Sequence, residues 1–274
     1  MTEALILQNE SRQDSSIIRS LDRSLDLIES LSHHPEGVTV TLLAAEMRIP
    51  KSSAFRVLNT LRTRGYVQQN PITERYRLGL RFLALARSVA EESDLRNIAT
   101  PYLRELQSET DETVHLAVPV GHSMVYIDKV ESSRSVRLAS RMGDLASFHS
   151  TALGKAYLSA LSVEERRAFV RNLALERRTD RTIVARDRLL TELDRCARQG
   201  FALDNIENEE GVRCVGAAVV DRAGEPVAAI SVSAPESRFP KKRAMTVGPL
   251  CADISSKLSQ HLGDVSPISS GGDA

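Results

Sequence analysis

At 274 residues, 42% hydrophobic and 26% charged, the chain has an ordinary globular composition and the length for two domains, which excludes a wholly disordered protein. Lys and Arg (36) balance Asp and Glu (36), so overall charge gives no argument for nucleic acid. The apolar runs, such as Cys214–Val220, are too short to span a bilayer, the opening MTEALILQNESRQDSS lacks the basic-then-apolar pattern of a secretory signal, and three scattered cysteines (Cys196, Cys214, Cys251) fit neither a disulfide frame nor a zinc cluster. A cytoplasmic protein with no membrane partner is the expectation.

Residues 1–18 are polar and aperiodic and read as a loose arm. In 19–34, Leu21, Leu25, Ile28 and Leu31 recur about one turn apart, an amphipathic helix stopped by Pro35-Glu36-Gly37. A short helix over Leu42–Met47 ends before Pro50. The next begins at PKSS, buries Ala54, Val57, Leu58 and Leu61, turns Ser53, Arg56, Thr60 and Thr63 outward, and stops at Gly65. YVQQNPITERYRLG then reads as two short strands around a turn at Asn70–Glu74. Three helices and a hairpin make a winged helix-turn-helix, whose third helix fits a major groove. Residues 40–80 carry seven Lys and Arg against two Glu, a net of +5 within a neutral chain. Such a patch is the footprint of a nucleic-acid-binding head, although a solvated helix face gives the same pattern.

Residues 81–98 predict a linker helix, and Pro101 marks the start of the next one. Beyond it the pattern is mixed α/β. Strands TVHLAVPV and MVYIDKV flank Gly121-His122-Ser123, and VRLAS is a candidate third strand. A helix starts at Thr151, and two more cover 163–174 and 186–199, the second ending at Gly200. GFALDNI, CVGAAVV and PVAAISVS are strands, 241–262 is the last helix, and 263–274 is a tail. The domain plan is an arm (1–18), a DNA-binding domain (19–80), a linker (81–98), a sensing domain (99–262) and the tail.

The text LLAAEMRIPKSSAFRVLNTLRTRGYV with NPITERYRLG resembles the DNA-binding half of the IclR family of bacterial transcription regulators. ETVHLAV, VYIDKVES, HSTALGKAYLSAL, GFALDNIENEEGVRCVGAAV and ISVSAP resemble its second half, in order over about residues 20–262. The resemblance implies an α+β protein: a winged helix-turn-helix, a linker helix and a C-terminal α/β ligand-sensing domain of GAF/profilin-like type. It also implies homodimers, or dimers of dimers, on operator DNA. It implies a transcriptional regulator, a repressor of a catabolic operon, controlled by a small organic acid.

On the DNA side, Lys51 is a phosphate contact, and Ser52 and Ser53 cap the recognition helix or meet phosphate. Arg56 is the candidate base reader, since a guanidinium bridges guanine O6 and N7. Arg75 fits the backbone or minor groove, and Arg62 contacts DNA or pairs within the protein. On the sensor side, the resemblance places effector contacts at Ala152 and Leu153 through their N–H groups, and at Asp204, Cys214, Ser231 and Ser233. A helix start suits a carboxylate, and serines two apart share one strand face. Leu153 stands where relatives that bind very small oxoacids carry small residues, which implies a reshaped pocket. Arg137 and Arg141 are candidates for reaching an acid, and Leu138, Met142 and Phe148 for cavity walls. Glu207, Glu209 and Glu210 form a solvated loop or, less simply, a cation site; no cofactor or metal is expected. Two other readings stay open: a constitutive DNA binder with a structural C-terminal domain, and an enzyme using Cys214 as nucleophile, which needs a base within reach.

Overall fold

The computed structural model describes residues 18–85, 94–136 and 138–264. Nearly all of the expected arm, the middle of the linker helix, Arg137 and nearly all of the expected tail lie outside them. The chain divides into two compact units, Met1–Glu92 and Ser93–Ala274.

The first unit is helical with a small hairpin. Helix α1 spans Arg19–Ser32, α2 Val40–Glu46 and α3 Lys51–Thr63; strands β1 (Val67–Gln69) and β2 (Tyr76–Leu78) pair antiparallel. Thr39 caps α2 by accepting the Leu42 N–H. Gly65, at φ +79°, turns the chain out of α3 into the hairpin, a conformation that suits glycine. Leu27, Leu31, Val38, Leu43, Leu58, Val67 and Tyr76 form the core. Val38 and Tyr76 exchange backbone hydrogen bonds of 2.9 and 2.7 Å, which ties the wing to the start of the helix-turn-helix. The stripe expected on α1 is corrected. The helix buries Leu27 and Leu31, while Leu21 and Leu25 remain about half exposed, because only its C-terminal half reaches this core.

The second unit is a six-stranded antiparallel sheet in the order β5-β4-β3-β8-β7-β6. The strands are β3 (Thr113–Val120), β4 (Ser123–Val130), β5 (Leu145–Ala146), β6 (Ala202–Asn205), β7 (Val212–Val220) and β8 (Pro226–Pro235). Helices α4 (Asp94–Thr110) and α8 (Lys241–Asp264) cover one face, packing Leu103, Leu106, Ile254 and Leu258 on Leu116, Val215, Ile230 and Val232. Helices α5 (Ala152–Ala160), α6 (Val163–Asn172) and α7 (Arg186–Gln199) belong to a second core, with Phe148, Leu153, Leu158, Val170 and Leu193. The period-2 alternation of β8 sends Ile230 and Val232 to the first core and Ser231 and Ser233 to the other face.

Two expectations fail here. Pro101 lies inside α4 and does not begin a helix. An interior proline costs about 3 kcal/mol, but fully burying Leu103 and Leu106 recovers about 1.5–3 kcal/mol each, so packing wins. The described residues of VRLAS (136–140) form no strand; β5 is Leu145–Ala146, which pairs with Met124 and Val125.

Candidate DNA-binding face and effector cavity

Helix α3 buries Ala54 and Leu58 fully and Val57 and Leu61 partly, as its spacing predicts. Opposite this stripe run Ser52, Arg56, Asn59 and Thr63, all exposed, spaced four, three and four residues apart. Ser53 and Thr60 sit on the flank, lining a groove with Ser20 and Arg23 of α1. The Ser52 and Ser53 hydroxyls do not cap the helix. Its N-cap is Pro50, which makes no side-chain cap, and both serines lie within the first turn beside exposed Lys51. Arg56 is exposed. Arg62 donates to Asn59 Oδ1 at 2.9 Å, which aligns Asn59, a residue sequence reasoning passed over. On the wing Arg75 donates to the Gly37 carbonyl at 3.2 Å and Arg77 to Gln68 at 3.3 Å, and both stay exposed.

In the second unit, Ala152, Leu153, Asp204, Cys214, Ser231 and Ser233 all line one cavity of about 270 Å³. Sheet register explains how residues distant in sequence meet. Asp204 is opposite Cys214 and Cys214 opposite Ser233; in the next row Gly216 is opposite Ser231 and Ser231 opposite His115. Above this floor sits the start of α5. Its N-cap Thr151 accepts the Gly154 N–H at 3.0 Å and donates to the Ser147 carbonyl at 2.6 Å, so Ala152 and Leu153 present first-turn N–H groups that no intrahelical carbonyl reaches. Two glycines let the helix start sit this low. A Cβ on Gly216 would lie 3.0 Å from Ala152 backbone atoms, and one on Gly154 would lie 2.3 Å from the Phe148 Cα.

The cavity's described lining contains no Lys or Arg. Its ionisable groups are Asp144, Asp204, Glu209, His115, Tyr126 and Cys214. Burial lowers the His115 pKa to about 3, with the Lys129 charge adding to the effect, so the ring is neutral at pH 7. It meets Ser140 Oγ at 2.7 Å and Ser233 Oγ at 3.5 Å and leans on Tyr126 with centroids 4.8 Å apart. Burial also raises Tyr126, leaving a neutral phenol. Asp204 is pushed up to about 7, chiefly by burial; Lys155 opposes the rise and Glu207 adds to it. Its Oδ1 accepts the Glu207 N–H at 2.7 Å. Cys214 is raised well above its ordinary value by burial and by Asp204, which keeps it a thiol and makes it a poor nucleophile.

Behind the helix start, fully buried Lys155 donates to both Glu207 oxygens at 2.6 and 2.7 Å and to the Leu203 carbonyl at 2.6 Å. Glu207 is thereby a structural anion. Among the described residues no group of three or more His, Cys, Asp and Glu is placed to hold a metal. Leu138 lines the cavity as expected; Met142 does not and is exposed, and Phe148 is core. Arg141 is exposed and lies outside the lining. Sequence reasoning missed His115, Tyr126, Ser140 and Lys155. His115 alone carried a signal, as a polar residue at an inward position of a strand.

A basic winged helix-turn-helix together with a separate sheet domain holding a polar cavity defines a DNA-binding transcription regulator. Comparison with known proteins gives the family. The model of the bacterial transcriptional regulator IclR C-terminal region matches residues 87–260, and that of the IclR helix-turn-helix domain matches 20–71. The chain is 33% identical over 246 residues to the HTH-type transcriptional regulator KdgR of Escherichia coli (strain K12), covering 90% of this chain and 93% of that one. It is 30% identical over 250 residues to the HTH-type transcriptional repressor AllR of Salmonella typhi, covering 91% and 92%. The crystal structure of Thermotoga maritima IclR aligns with a TM-score of 0.69 at 29% identity, covering 90% of this chain and all of that one. The chain belongs to the IclR family. No helix among the described residues is long and apolar enough to cross a membrane.

Proposed function

We propose that this regulator is a repressor of a catabolic operon, released or retained on its operator by a small organic acid held in the second unit's cavity. The observation that carries this reading is the cavity's pairing of an open helix start with a floor of hydroxyl and carboxyl groups. The Ala152 and Leu153 N–H groups take the effector carboxylate, since the described lining residues include no Lys or Arg to do so. Ser231 and Ser233 donate to its oxygens. Asp204 and Cys214 sit where a ligand hydroxyl or hydrated carbonyl needs a partner. Repressor is favoured because relatives such as AllR carry that name. No step of this reading calls for catalysis or a cofactor.

On the DNA, Arg56 reads a base edge, with Ser52 and Asn59 on the same line; Lys51, Ser53, Arg62 and Arg75 hold the backbone. The protein acts as a homodimer or a dimer of dimers, so that two heads meet two half-sites. The acid alters operator affinity by its differential affinity for two arrangements of the heads. The residues 81–98 connect each head to its sensor. Isothermal titration with a panel of hydroxy- and oxo-acids tests the cavity. One acid binds the parent and binds Ser233→Ala at least about tenfold more weakly, the loss of a hydrogen bond to a charged group. If no acid binds, or if Ser233→Ala binds every acid as the parent does, this assignment is wrong.

A further inference from the structure

The second unit contains another cavity, of about 660 Å³, that the effector reading does not use. Its walls are the 177–185 loop, one face of α7, the strand β6 and Lys241 at the start of α8. The segment 203–209 is shared: Leu203, Asn205 and Glu207 face this cavity, whereas Asp204, Asn208 and Glu209 face the first.

The charge here is unbalanced although the whole chain is neutral. Three carboxylates line the cavity. Glu207 is held by Lys155, and Glu192 is held by Arg195 at 2.5 and 2.9 Å. That leaves Asp180 against Arg177, Arg181, Arg188 and Lys241, which are exposed and have no carboxylate partner among the described residues. In addition α7 begins at this cavity: its N-cap Ala185 is a lining residue and has no side-chain cap, so the first-turn N–H groups await an acceptor. Three guanidinium groups, one ammonium and an uncapped helix start exceed what one carboxylate can satisfy, since its two oxygens are met by a single guanidinium. A phosphoryl group, with three acceptor oxygens and close to two negative charges, matches several cations at once.

We propose that this cavity is a second ligand site, selective for a small molecule carrying a phosphoryl group. The site is separate from the organic-acid cavity and shares one wall with it.

Calorimetric titration of the full chain with pyrophosphate, at ionic strength fixed with sodium chloride, tests this. Because the DNA-binding head also attracts phosphate, Lys51→Ala/Arg56→Ala serves as the control and Arg181→Ala/Arg188→Ala as the site variant. The expected result is saturable one-site binding by the parent and the head variant, and binding at least about tenfold weaker in the site variant, whose unliganded unfolding midpoint matches the parent's. Should that variant unfold early, Arg177→Gln/Lys241→Gln is read in its place, with the same expected weakening. The proposal is overturned by heats no larger than those of sodium chloride alone, by undiminished binding in the site variant, by loss of binding in the head variant, or by citrate binding where pyrophosphate does not.

Discussion

Replacing Lys155 with Met tests the frame on which the effector cavity hangs. The ammonium group is fully buried and makes three short hydrogen bonds, two to Glu207 and one to the Leu203 carbonyl. Met keeps the aliphatic volume and removes the charge, leaving Glu207 buried with no cation. Deleting one partner of a buried pair costs about 3–5 kcal/mol. For a unit of this size that amounts to a fall of about 6–20 °C in unfolding midpoint. Replacing both partners, as Lys155→Met/Glu207→Gln, removes the orphaned charge and restores most of the loss. Hydrogen exchange in β6, β7 and β8 reports the second unit by itself, and thermal unfolding gives the midpoint. A single variant that loses less than about 1 kcal/mol, the scale of an exposed pair, or a double variant no better than the single, would refute the reasoning.

Four further outcomes follow from the geometry. The Asp204 carboxyl keeps its proton in the folded state up to about pH 7, so it makes stability fall as pH rises from the ordinary carboxylate range to 7. His115 titrates near 3 when folded and does the reverse, raising stability from about pH 3 to its ordinary value near 6.5. Over their shared window the two oppose each other; urea titrations at several pH values will show His115→Gln exposing the fall and Asp204→Asn exposing the rise, and parallel profiles for both variants would contradict this. Gly154→Ala drives a methyl group into the Phe148 backbone and destabilises by about 1–3 kcal/mol, read by thermal unfolding. Gly216→Ala is milder: its methyl group meets the Ala152 and Ile230 backbone at 3.0 Å, so it shifts the α5 start, weakens acid binding in calorimetry and lowers the unfolding midpoint by less than Gly154→Ala does. Arg56→Ala weakens operator binding by about 1–3 kcal/mol and relaxes sequence selectivity, with acid affinity unaltered; equal operator titrations would sink that assignment.

Much of the fold was legible because periodicity is a local signal. The α3 stripe of Ala54, Val57, Leu58 and Leu61, the hairpin around Asn70–Glu74, and the alternation that turns Ser231 and Ser233 to one face all follow from spacing alone. Where reading failed, the deciding force was not local. Leu21 and Leu25 repeat like core residues, yet among the described residues of their own unit they stay about half exposed. Pro101 looks like a boundary until the burial of Leu103 and Leu106 outweighs it. VRLAS has strand-forming residues, but the edge position beside β4 is taken by Leu145–Ala146. The six effector candidates came from family resemblance, not spacing. His115 and Lys155 escaped notice because their partners are set by sheet register: His115 faces Ser231 across β3 and β8, and Lys155 reaches Glu207 52 positions away.

The central claim, that an acid in the second unit's cavity governs the head's grip on DNA, is tested most directly by titrating the promoter DNA upstream of the regulator's own gene with the full chain, with and without an acid that binds, for the parent and for Ser231→Ala/Ser233→Ala. The account predicts that saturating acid shifts the parent's operator affinity by about 5–150-fold, the usual span of allosteric coupling, and that the variant binds the same DNA as tightly as the unliganded parent but no longer responds at that acid concentration. An acid that occupies the cavity and leaves the parent's operator curve unmoved, or an undiminished shift in the variant, would contradict it.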